Sequence, residues 1–317
     1  MIDVVALGEL LIDFTNVSTD IDGYPTMAAH PGGAPANFLA TLSKFGAKTA
    51  LLGKVGKDAF GKLLVGTLDK AGIDTSGLVM ANNVFTTLAF VTLDANGNRE
   101  FSFARKPGAD TCLSFEEIDL SLIDEATIFH FGTLSLTDEP ARSATYKAVA
   151  YAKKKGKLIT YDPNLRKALW DNLEEAKKQL LWGLSQADIV KISDEEVEFL
   201  FGLGVEDGAK HILDEYGVKL VFVTCGANGC YFQNSLAKGH VPSLQDIAVI
   251  DTTGAGDIFG GSAVWKLLQL DTCPEALNEE ELTDLVRFAC TSASLSTTRH
   301  GGISSVPEYR TVLERMR

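Results

Sequence analysis

The chain has 317 residues, of which 45% are hydrophobic and 22% are charged. This composition is typical of a globular protein with a sizeable core, and it excludes a disordered chain or a small scaffold held together by disulfides or metal. Acidic side chains number 42 and basic ones 29, a formal charge of −13 that argues against binding nucleic acid or an anionic membrane surface. An anionic ligand would therefore need a local pocket of backbone N–H groups, a few cations and, we expect, a divalent metal.

The five cysteines are odd in number and scattered, without a C-x-x-C pair or zinc-ligand spacing. They are typical of free or buried thiols in a reducing cytosol. The N-terminus runs directly into an apolar segment without a basic region or cleavage site, and no apolar stretch approaches the roughly 18 residues of a membrane span. We therefore expect a soluble, cytoplasmic protein.

The N-terminal third has a mixed pattern. Residues 2–7 are typical of a buried strand, and a helix is predicted from Pro35 to Gly46. Residues 85–93 and 99–105 alternate between apolar and polar side chains, and the segment between them contains an Asn-Gly turn signal. Together with residues 14–30 they predict a small antiparallel sheet that projects from the main domain, as a lid beside a ligand cleft would.

From about residue 127 onward, short apolar strands alternate with helical patterns. The predicted strands are 127–131, 157–161, 189–192 and 220–224, and the predicted helices are 138–155, 172–186, 194–201, 256–269 and 279–297. Such alternation indicates right-handed βαβ units, with a parallel sheet covered by helices on both faces.

The segment DTTGAGD, residues 251–257, precedes an apolar helical pattern. Small residues at a helix start leave backbone N–H groups uncovered, and with the helix dipole these form a site for a phosphoryl group. An acid in that first turn is badly placed to bind an anion, so we interpret Asp257 as a general base that accepts a proton from an attacking hydroxyl. Gly254, Ala255 and Gly256 would then stabilise the moving charge. A glycine turn whose aspartate merely caps the helix has the same local pattern.

The same heptapeptide resembles the signature of the ribokinase-like sugar kinases, the phosphofructokinase-B type family, and the similarity extends over nearly the whole chain. The resemblance implies an α/β fold with a central, mostly parallel sheet flanked by helices, in one domain over residues 1–317. It also implies a small β-sheet lid formed by about residues 14–30 and 84–106, and the use of ATP and Mg²⁺.

Two N-terminal segments, GELLID and PGGAPAN, resemble the sugar-binding motifs of that family. The resemblance assigns sugar hydroxyls to Asp13, Gly33 and Asn37, with Gly32 beside them. The chemistry agrees, because carboxylate and amide groups bind vicinal hydroxyls in pairs and a glycine lets the backbone approach the ring. Taken singly, these residues are equally typical of a strand end, a glycine turn and a helix cap.

Two segments after predicted strands resemble elements that act on the phosphoryl group and the cofactor. In DPNLR, the resemblance assigns Arg166 to the substrate or the transferring phosphoryl group and Asn164 to the cofactor, and open α/β sheets do bind ligands beyond their strand C-termini. In KISDEE, it assigns Lys191 and Ser193 to the cofactor and Glu196 to Mg²⁺ through water. Ser193 stands where the family more commonly has Asn. A surface turn and a Ser-capped helix start are the alternative interpretations.

The loop TCGANG resembles the nucleotide-side element of the family, in which Thr224, Gly226 and Gly229 would contact ATP. Further positions match those that hold a monovalent cation in several relatives, with K⁺ as the candidate ion. These positions are Asp251, Thr253, Ser296, Arg299, Gly301 and Ser305. Backbone carbonyls would supply most of the ligands, so ordinary loop structure explains these residues equally well.

The stretch REFSFARKPGAD, residues 99–110, resembles the fructokinase members of the family most closely. Phe101 and Phe103 alternate with polar neighbours, so one strand face would cover the apolar side of a sugar while Arg105 reaches its hydroxyls. The alternative is that the aromatic rings pack the lid against the main domain.

The resemblance thus implies ATP-dependent phosphorylation of fructose at a primary hydroxyl, giving fructose 6-phosphate. A 2-keto-3-deoxygluconate kinase, a ribokinase or a nucleoside kinase of the same family are alternatives, and a non-catalytic kinase-like binding protein is another class. An intact base beside an anion pocket argues against the last. Exposed lid strands are edges that a second copy of the chain could cover, so a homodimer through the lid is a candidate assembly.

Overall fold

The computed structural model describes residues 1–93, 99–270 and 272–316. Its strands are β1 (Ile2–Leu7), β2 (Leu11–Thr19), β3 (Pro25–Gly32), β4 (Thr49–Gly56), β5 (Ile73–Asp74), β6 (Leu78–Ala81), β7 (Leu88–Leu93), β8 (Arg99–Ala104), β9 (Ala126–Gly132), β10 (Leu158–Asp162), β11 (Ile189–Ser193), β12 (Leu220–Thr224), β13 (Cys230–Asn234) and β14 (Lys238–Val241). Its helices are α1 (Ala34–Lys44), α2 (Ala59–Lys70), α3 (Leu120–Glu125), α4 (Ala141–Lys154), α5 (Leu173–Gln186), α6 (Asp194–Phe201), α7 (Val205–Tyr216), α8 (Ala255–Gln269), α9 (Glu279–Ser296) and α10 (Tyr309–Arg315).

The larger sheet has the strand order β14-β13-β12-β11-β10-β9-β1-β4-β5, and β6 also pairs with β4. Its strands are parallel from β12 through β4, and the strands at the β14 edge are antiparallel. This is the central, mostly parallel sheet that the sequence predicts, and its predicted C-terminal strands and helices are present within a few residues of their expected limits. Strands β1 and β4, from the N-terminal third of the chain, also belong to this sheet.

Both faces of the larger sheet are buried, because successive side chains of each strand point to opposite sides. On one face, Val5, Phe129 and Tyr161 pack in a cluster with residues of α4 and α5. On the other face, Val4 and Ile128 pack in a cluster with residues of α1, α8 and α9. The sheet is therefore a rigid platform, and the ends of its strands hold their side chains in fixed positions.

The smaller sheet has the order β3-β2-β7-β8. Two hairpins, β2–β3 and β7–β8, are antiparallel within themselves, but β2 and β7 pair in parallel. The prediction of an all-antiparallel sheet is thus wrong at one pairing, because the outgoing strands of the two hairpins lie side by side. The predicted Asn-Gly turn at 96–97 and the side chain of Phe101 lie outside the described part of the chain.

Strand β7 begins later than the alternation predicts. Thr86 N donates to Asp58 Oδ2 at 2.8 Å, so this residue is bonded to the cap of α2 rather than to a neighbouring strand.

Within the described residues, no helix is long and apolar enough to cross a membrane.

Candidate active site

A cleft of about 890 Å³ opens between the carboxyl edge of the larger sheet and the smaller sheet. Parallel sheets bind ligands at this edge, because loops from several strands converge there. The cleft is lined by many of the residues singled out in the sequence: Asp13, Gly33, Asn37, Phe103, Asn164, Arg166, Lys191, Asp251, Thr253, Gly254, Gly256, Asp257 and Gly301. Segments more than 200 residues apart in the chain therefore meet in one place.

Asp257 lies in the first turn of α8, the helix whose N-cap is Gly254. Asn37, on α1, donates its Nδ2 to Asp257 Oδ2 at 2.8 Å. Burial raises the pKa of Asp257, and the charges of Lys191 and Arg166 together with the Asn37 hydrogen bond act in the opposite direction. A carboxylate held in this way faces the cleft in a fixed orientation, as a general base requires.

The backbone at two glycines has no room for a side chain. Gly33 has φ 117°, and a Cβ there would lie 2.5 Å from the carbonyl oxygen of Glu9. Gly254 has φ 76°, and a Cβ there would lie 2.9 Å from Gly302 Cα and 3.2 Å from Asn37 Nδ2. Both positions need glycine for conformation and for space. They bring the starts of α1 and α8 together at the floor of the cleft.

Asp13, on β2, lines the cleft from the smaller sheet. Burial raises the pKa of its carboxyl to about 6, and Asp257 and Asp251 act in the same direction while Arg166 opposes them. In the strand register Asp13 is opposite His30, which also lines the cleft. Gly32 is adjacent to this carboxylate, since a Cβ there would lie 2.1 Å from Asp13 Oδ2.

Lys191 and Asp162 form a buried ion pair beneath the start of α8. Lys191 Nζ lies 2.8 Å from Asp162 Oδ2, and the two side chains are 13% and 8% exposed. Burial alone would lower the pKa of Lys191, but the carboxylates of Asp162, Glu196 and Asp257 raise it above its usual range. A Cβ on Gly256 would lie 3.0 Å from Lys191 Nζ, so a permanent positive charge sits directly under the glycine-lined turn.

The segment after β10 turns sharply into the cleft. Asn164 has φ 45°, a left-handed conformation that no other non-glycine residue in the described ranges adopts. Such strain persists only where the surroundings fix it. Arg166, two residues further on, lines the cleft, is exposed and, within the described part of the chain, forms no ion pair. Arg166 is thus a cation available to an anionic ligand.

Glu196 and Ser193 form the capping box of α6. Ser193 Oγ accepts a hydrogen bond from Glu196 N, and Glu196 Oε2 accepts one from Ser193 N at 2.8 Å. Glu196 Oε1 accepts a third from Leu165 N at 2.6 Å. Neither Ser193 nor Glu196 lines the cleft, so the capping interpretation of this segment is correct at the local level.

The residues present fit a hydrated magnesium ion carried by the phosphates of a nucleotide. Among the described residues, no group of three or more His, Cys, Asp or Glu side chains could hold a metal alone. Asp162 Oδ1, however, is a buried oxygen without a hydrogen-bond partner in that part of the chain, close to Glu196. Mg²⁺ commonly takes one or two carboxylates and otherwise keeps water and phosphate ligands.

The loop after β12 lies next to this site. Thr224 is in register with Ser193 on the neighbouring strand, and Gly226 begins the following 3-10 turn. Gly229 has φ 97°, and a Cβ there would lie 2.0 Å from the carbonyl oxygen of Val241. None of the three predicted nucleotide residues lines the cleft itself, so they mark an adjoining surface at the same sheet edge.

The segments matched to a cation site meet around Asp251. Its Oδ1 accepts a hydrogen bond from Thr253 N at 2.9 Å, and its Oδ2 accepts one from Gly301 N at 3.0 Å. The other matched residues have local hydrogen bonds: Ser296 Oγ donates to Ala293 O, the backbone N–H of Arg299 donates to Ser296 O, and Ser305 Oγ donates to Gly302 O. These loops are therefore joined, and they adjoin the start of α8.

The structure corrects the prediction that Arg105 binds sugar hydroxyls. Its side chain is only 3% exposed and does not line the cleft. Its Nε donates to Asp110 Oδ2 at 2.8 Å, and its two terminal nitrogens donate to Thr137 Oγ1 and Leu134 O at 2.7 and 2.8 Å. Because these protein acceptors occupy the guanidinium, it fastens the chain and does not face a substrate. Phe103 does line the cleft.

Glu9 is a cleft residue to which no motif of the sequence assigned a role. This carboxyl is 3% exposed, accepts a hydrogen bond from Ala34 N at 2.9 Å and lines the cleft. Burial raises its pKa to about 7. A glutamate next to a glycine after an apolar strand was the available signal, but its partner lies 25 residues away.

Comparison with known proteins agrees with this geometry. A profile of the pfkB family of carbohydrate kinases matches residues 1–309. Fructokinase-1 of Zea mays is 42% identical over 315 residues, which cover 98% of this chain and 96% of the maize protein. Fructokinase-2 of Solanum lycopersicum is 41% identical over 307 residues, covering 96% and 93% of the two chains.

Solved structures show the same fold. The fructokinase of Xylella fastidiosa with bound ATP has a TM-score of 0.89 and 31% identity, covering 98% of this chain and 97% of its own. The Vibrio cholerae fructokinase with fructose, ADP and calcium ion has a TM-score of 0.88 and 30% identity, covering 100% and 99%. A double mutant of the latter, with fructose, ADP and potassium ion, has a TM-score of 0.88 and 29% identity, with the same coverage. The fold is ribokinase-like, and the chain belongs to the pfkB family of carbohydrate kinases.

Proposed function

We propose that this protein transfers the γ-phosphoryl group of ATP to a primary hydroxyl of D-fructose, giving fructose 6-phosphate. The observation that carries the proposal is the Asp257 carboxylate, held by Asn37 at 2.8 Å in the first turn of a glycine-capped helix that faces the cleft. A base beside backbone N–H groups suits an alcohol attacking phosphorus. The choice of fructose is supported by the fructokinases among its relatives.

The sugar occupies the side of the cleft formed by β2 and the start of α1. Asp13 accepts hydrogen bonds from vicinal hydroxyls, Asn37 offers its amide, and the close backbone at Gly33 leaves room for the ring. Phe103 covers an apolar edge of the sugar. The attacking hydroxyl then lies within reach of Asp257, which takes its proton.

The phosphoryl side is built from fixed positive groups. We place the backbone N–H groups of Gly254 and Gly256 toward the transferring group, with Lys191 below and Arg166 at the rim. The N–H of Ala255 instead donates to the carbonyl oxygen of Thr252 at 3.3 Å. ATP lies across the edge of the sheet, between these groups and the nucleotide loop, whose contacts we assign to Thr224, Gly226 and Gly229. Ser193 and Asn164 complete the cofactor side.

We assign two metal ions to this site, one near the ATP phosphates and one at the loops around Asp251. Glu196 and Asp162 are the residues that would hold Mg²⁺ through water, and the ion would supply positive charge near the ATP phosphates. We assign a monovalent cation, K⁺, to the joined loops that contain Asp251, Thr253, Ser296, Arg299, Gly301 and Ser305. It would orient the start of α8 through the backbone.

The chain acts as one kinase domain, and the smaller sheet serves as its lid. Closure excludes water, which would otherwise accept the phosphoryl group.

Val17, Ile21 and Tyr24 on the β2–β3 hairpin are more than half exposed, and the sheet has open edges at β3 and β8. We infer that a second copy covers them, so light scattering should report a dimer. Five free cysteines support a cytoplasmic location.

The proposal predicts that fructose binding weakens in acid. Asp13 has a pKa raised to about 6, so it is ionised at neutral pH and gains a proton as the pH falls through that value. A protonated carboxyl is a poorer acceptor for two hydroxyls, so kcat/KM for fructose should fall about tenfold per pH unit below about pH 6. Asp13→Asn should bind fructose weakly at every pH and change less steeply below pH 6. An unchanged acid limb in that variant would contradict the assignment.

The direct test is an acceptor panel. The purified protein is assayed for ATP-dependent phosphorylation of fructose, ribose, 2-keto-3-deoxygluconate and adenosine at equal concentrations. We expect kcat/KM for fructose to exceed the others by at least about tenfold, since the site's polar groups would be left unpaired by a poorly matched acceptor. Preference for another acceptor would reject fructose and keep the kinase. Failure to consume ATP with every acceptor would reject the kinase.

A further inference from the structure

The root of the smaller sheet is a buried polar cluster of three residues, Thr87, Arg105 and Asp110, that the proposed chemistry does not use. Thr87 immediately precedes β7, and Arg105 immediately follows β8. Asp110 lies in a short 3-10 turn, Ala109–Cys112. All three residues are at most 6% exposed. The cluster therefore lies where the chain enters and leaves the smaller sheet.

One carboxylate joins the two strands. Thr87 Oγ1 donates to Asp110 Oδ1, and Arg105 Nε donates to Asp110 Oδ2 at 2.8 Å. A terminal nitrogen of Arg105 lies 2.7 Å from the same Oδ2. Because Thr87 and Arg105 belong to the ends of different strands, Asp110 fixes how these strands leave the main domain.

The other side of Arg105 contacts the wall of the cleft. Its Nη2 donates to the carbonyl oxygen of Leu134 at 2.8 Å, and its Nη1 donates to Thr137 Oγ1 at 2.7 Å. Leu134 lines the cleft, and so does Phe103, two residues before Arg105. A single guanidinium thus links the smaller sheet to the surface on which a sugar would lie.

We propose that Asp110 is a positioning residue that fixes the smaller sheet in the orientation in which it closes over the sugar. The inference rests on the proposed function, because it takes the cleft as a sugar site and the sheet as its cover. Apolar side chains of the same volume would hold two strands at less desolvation cost. A carboxylate that must bind a hydroxyl and a guanidinium at the same time is satisfied in only one arrangement of the two strands. Asp110 therefore fixes the orientation of the smaller sheet as well as holding its strands together.

Thr87→Val tests the link without breaking the ion pair. The variant keeps the size of the side chain and removes the hydroxyl that reaches Asp110. The KM for fructose should rise about tenfold while kcat stays within about threefold, because a buried acceptor loses its donor and the start of β7 is no longer fixed to Asp110. ATP hydrolysis without sugar, relative to fructose phosphorylation, should rise by a similar factor as water enters. Thr87→Ser keeps the hydroxyl and should restore both values.

Asp188→Asn is the matched control. It breaks the 3.0 Å ion pair with Lys219 at the opposite, amino edge of the larger sheet, so it should lower the Tm without changing either ratio. Asp110→Asn is a poorer test, because an uncompensated buried Arg105 can prevent folding. Wild-type values of KM and of the hydrolysis ratio in Thr87→Val would overturn the proposal, as would equal changes in Asp188→Asn.

The two proposals fail in different ways. If the wild type does not phosphorylate fructose, the proposed substrate is wrong, and the same variants are compared with the acceptor that the wild type does use. A raised KM for that acceptor in Thr87→Val but not in Thr87→Ser would still support the positioning role. An unchanged KM would reject it.

Discussion

Asp257→Asn should lower kcat by about a hundredfold or more, the usual effect of losing a general base, while the affinity for fructose stays nearly unchanged. Asparagine has the shape of aspartate and can still accept the hydrogen bond that Asn37 donates to this position. The variant therefore removes the proton acceptor and leaves the cleft intact. Steady-state kinetics with fructose and ATP, together with fructose binding to the unreactive variant, separate the two quantities.

Asp284→Asn is the control for this experiment. Asp284 pairs with Lys266 at 2.7 Å on the exposed surface, with its side chain 53% exposed, so the substitution makes the same change of charge far from the cleft. Its kcat should equal that of the wild type. A near-normal kcat in Asp257→Asn would remove the role of base from this carboxylate. An equal loss in both variants would attribute the effect to overall charge.

The limits of individual helices and strands could be predicted from the sequence, because the residues that determine them lie within a few positions of one another. The helix predicted at 194–201 is found as Asp194–Phe201, and its start is fixed by the Ser193–Glu196 capping box. The strand predicted at 220–224 is found as Leu220–Thr224, an unbroken apolar run of the kind that both-sided burial requires. The glycine turn before α8 was equally local.

The pairing of distant segments could not be predicted from the sequence. Nothing in the alternation of residues 85–93 indicates that β7 will lie parallel to β2, since alternation fixes which side chains share a face and not which strand is the neighbour. Arg105 illustrates the same limit. An arginine in this position is compatible with a sugar hydroxyl or with protein acceptors. The structure decides between them, because Arg105 is bonded to Asp110, five residues away, and to the carbonyl oxygen of Leu134, 29 residues away.

Glu196 makes one contact that is local in the sequence and one that is distant. Its bond to Ser193 is a capping box that the S-x-x-E spacing predicts. Its second bond, to Leu165 N, connects the start of α6 to the segment that carries Arg166, and the sequence holds no sign of it. One carboxylate thus fixes a helix and the loop after a neighbouring strand.

Lys191→Met should lower kcat by about a hundredfold and also destabilise the fold. Methionine has nearly the same length without the charge, so the cation beneath Gly256 is lost where charge develops on the transferring group. Asp162 then becomes an unpaired buried carboxylate, which costs about 3–5 kcal/mol of unfolding free energy. Denaturant unfolding and steady-state kinetics measure the two effects on the same protein.

A second substitution separates these two effects. Asp162→Asn in the Lys191→Met background removes the uncompensated charge, so most of the unfolding free energy should return because a neutral amide is far less costly to bury than a carboxylate. The turnover should not return, because the positive charge beneath the glycine-lined turn is still missing. If stability and kcat recover together in the double variant, then Lys191 serves only to neutralise Asp162, and the cation that stabilises phosphoryl transfer must be sought in Arg166 instead.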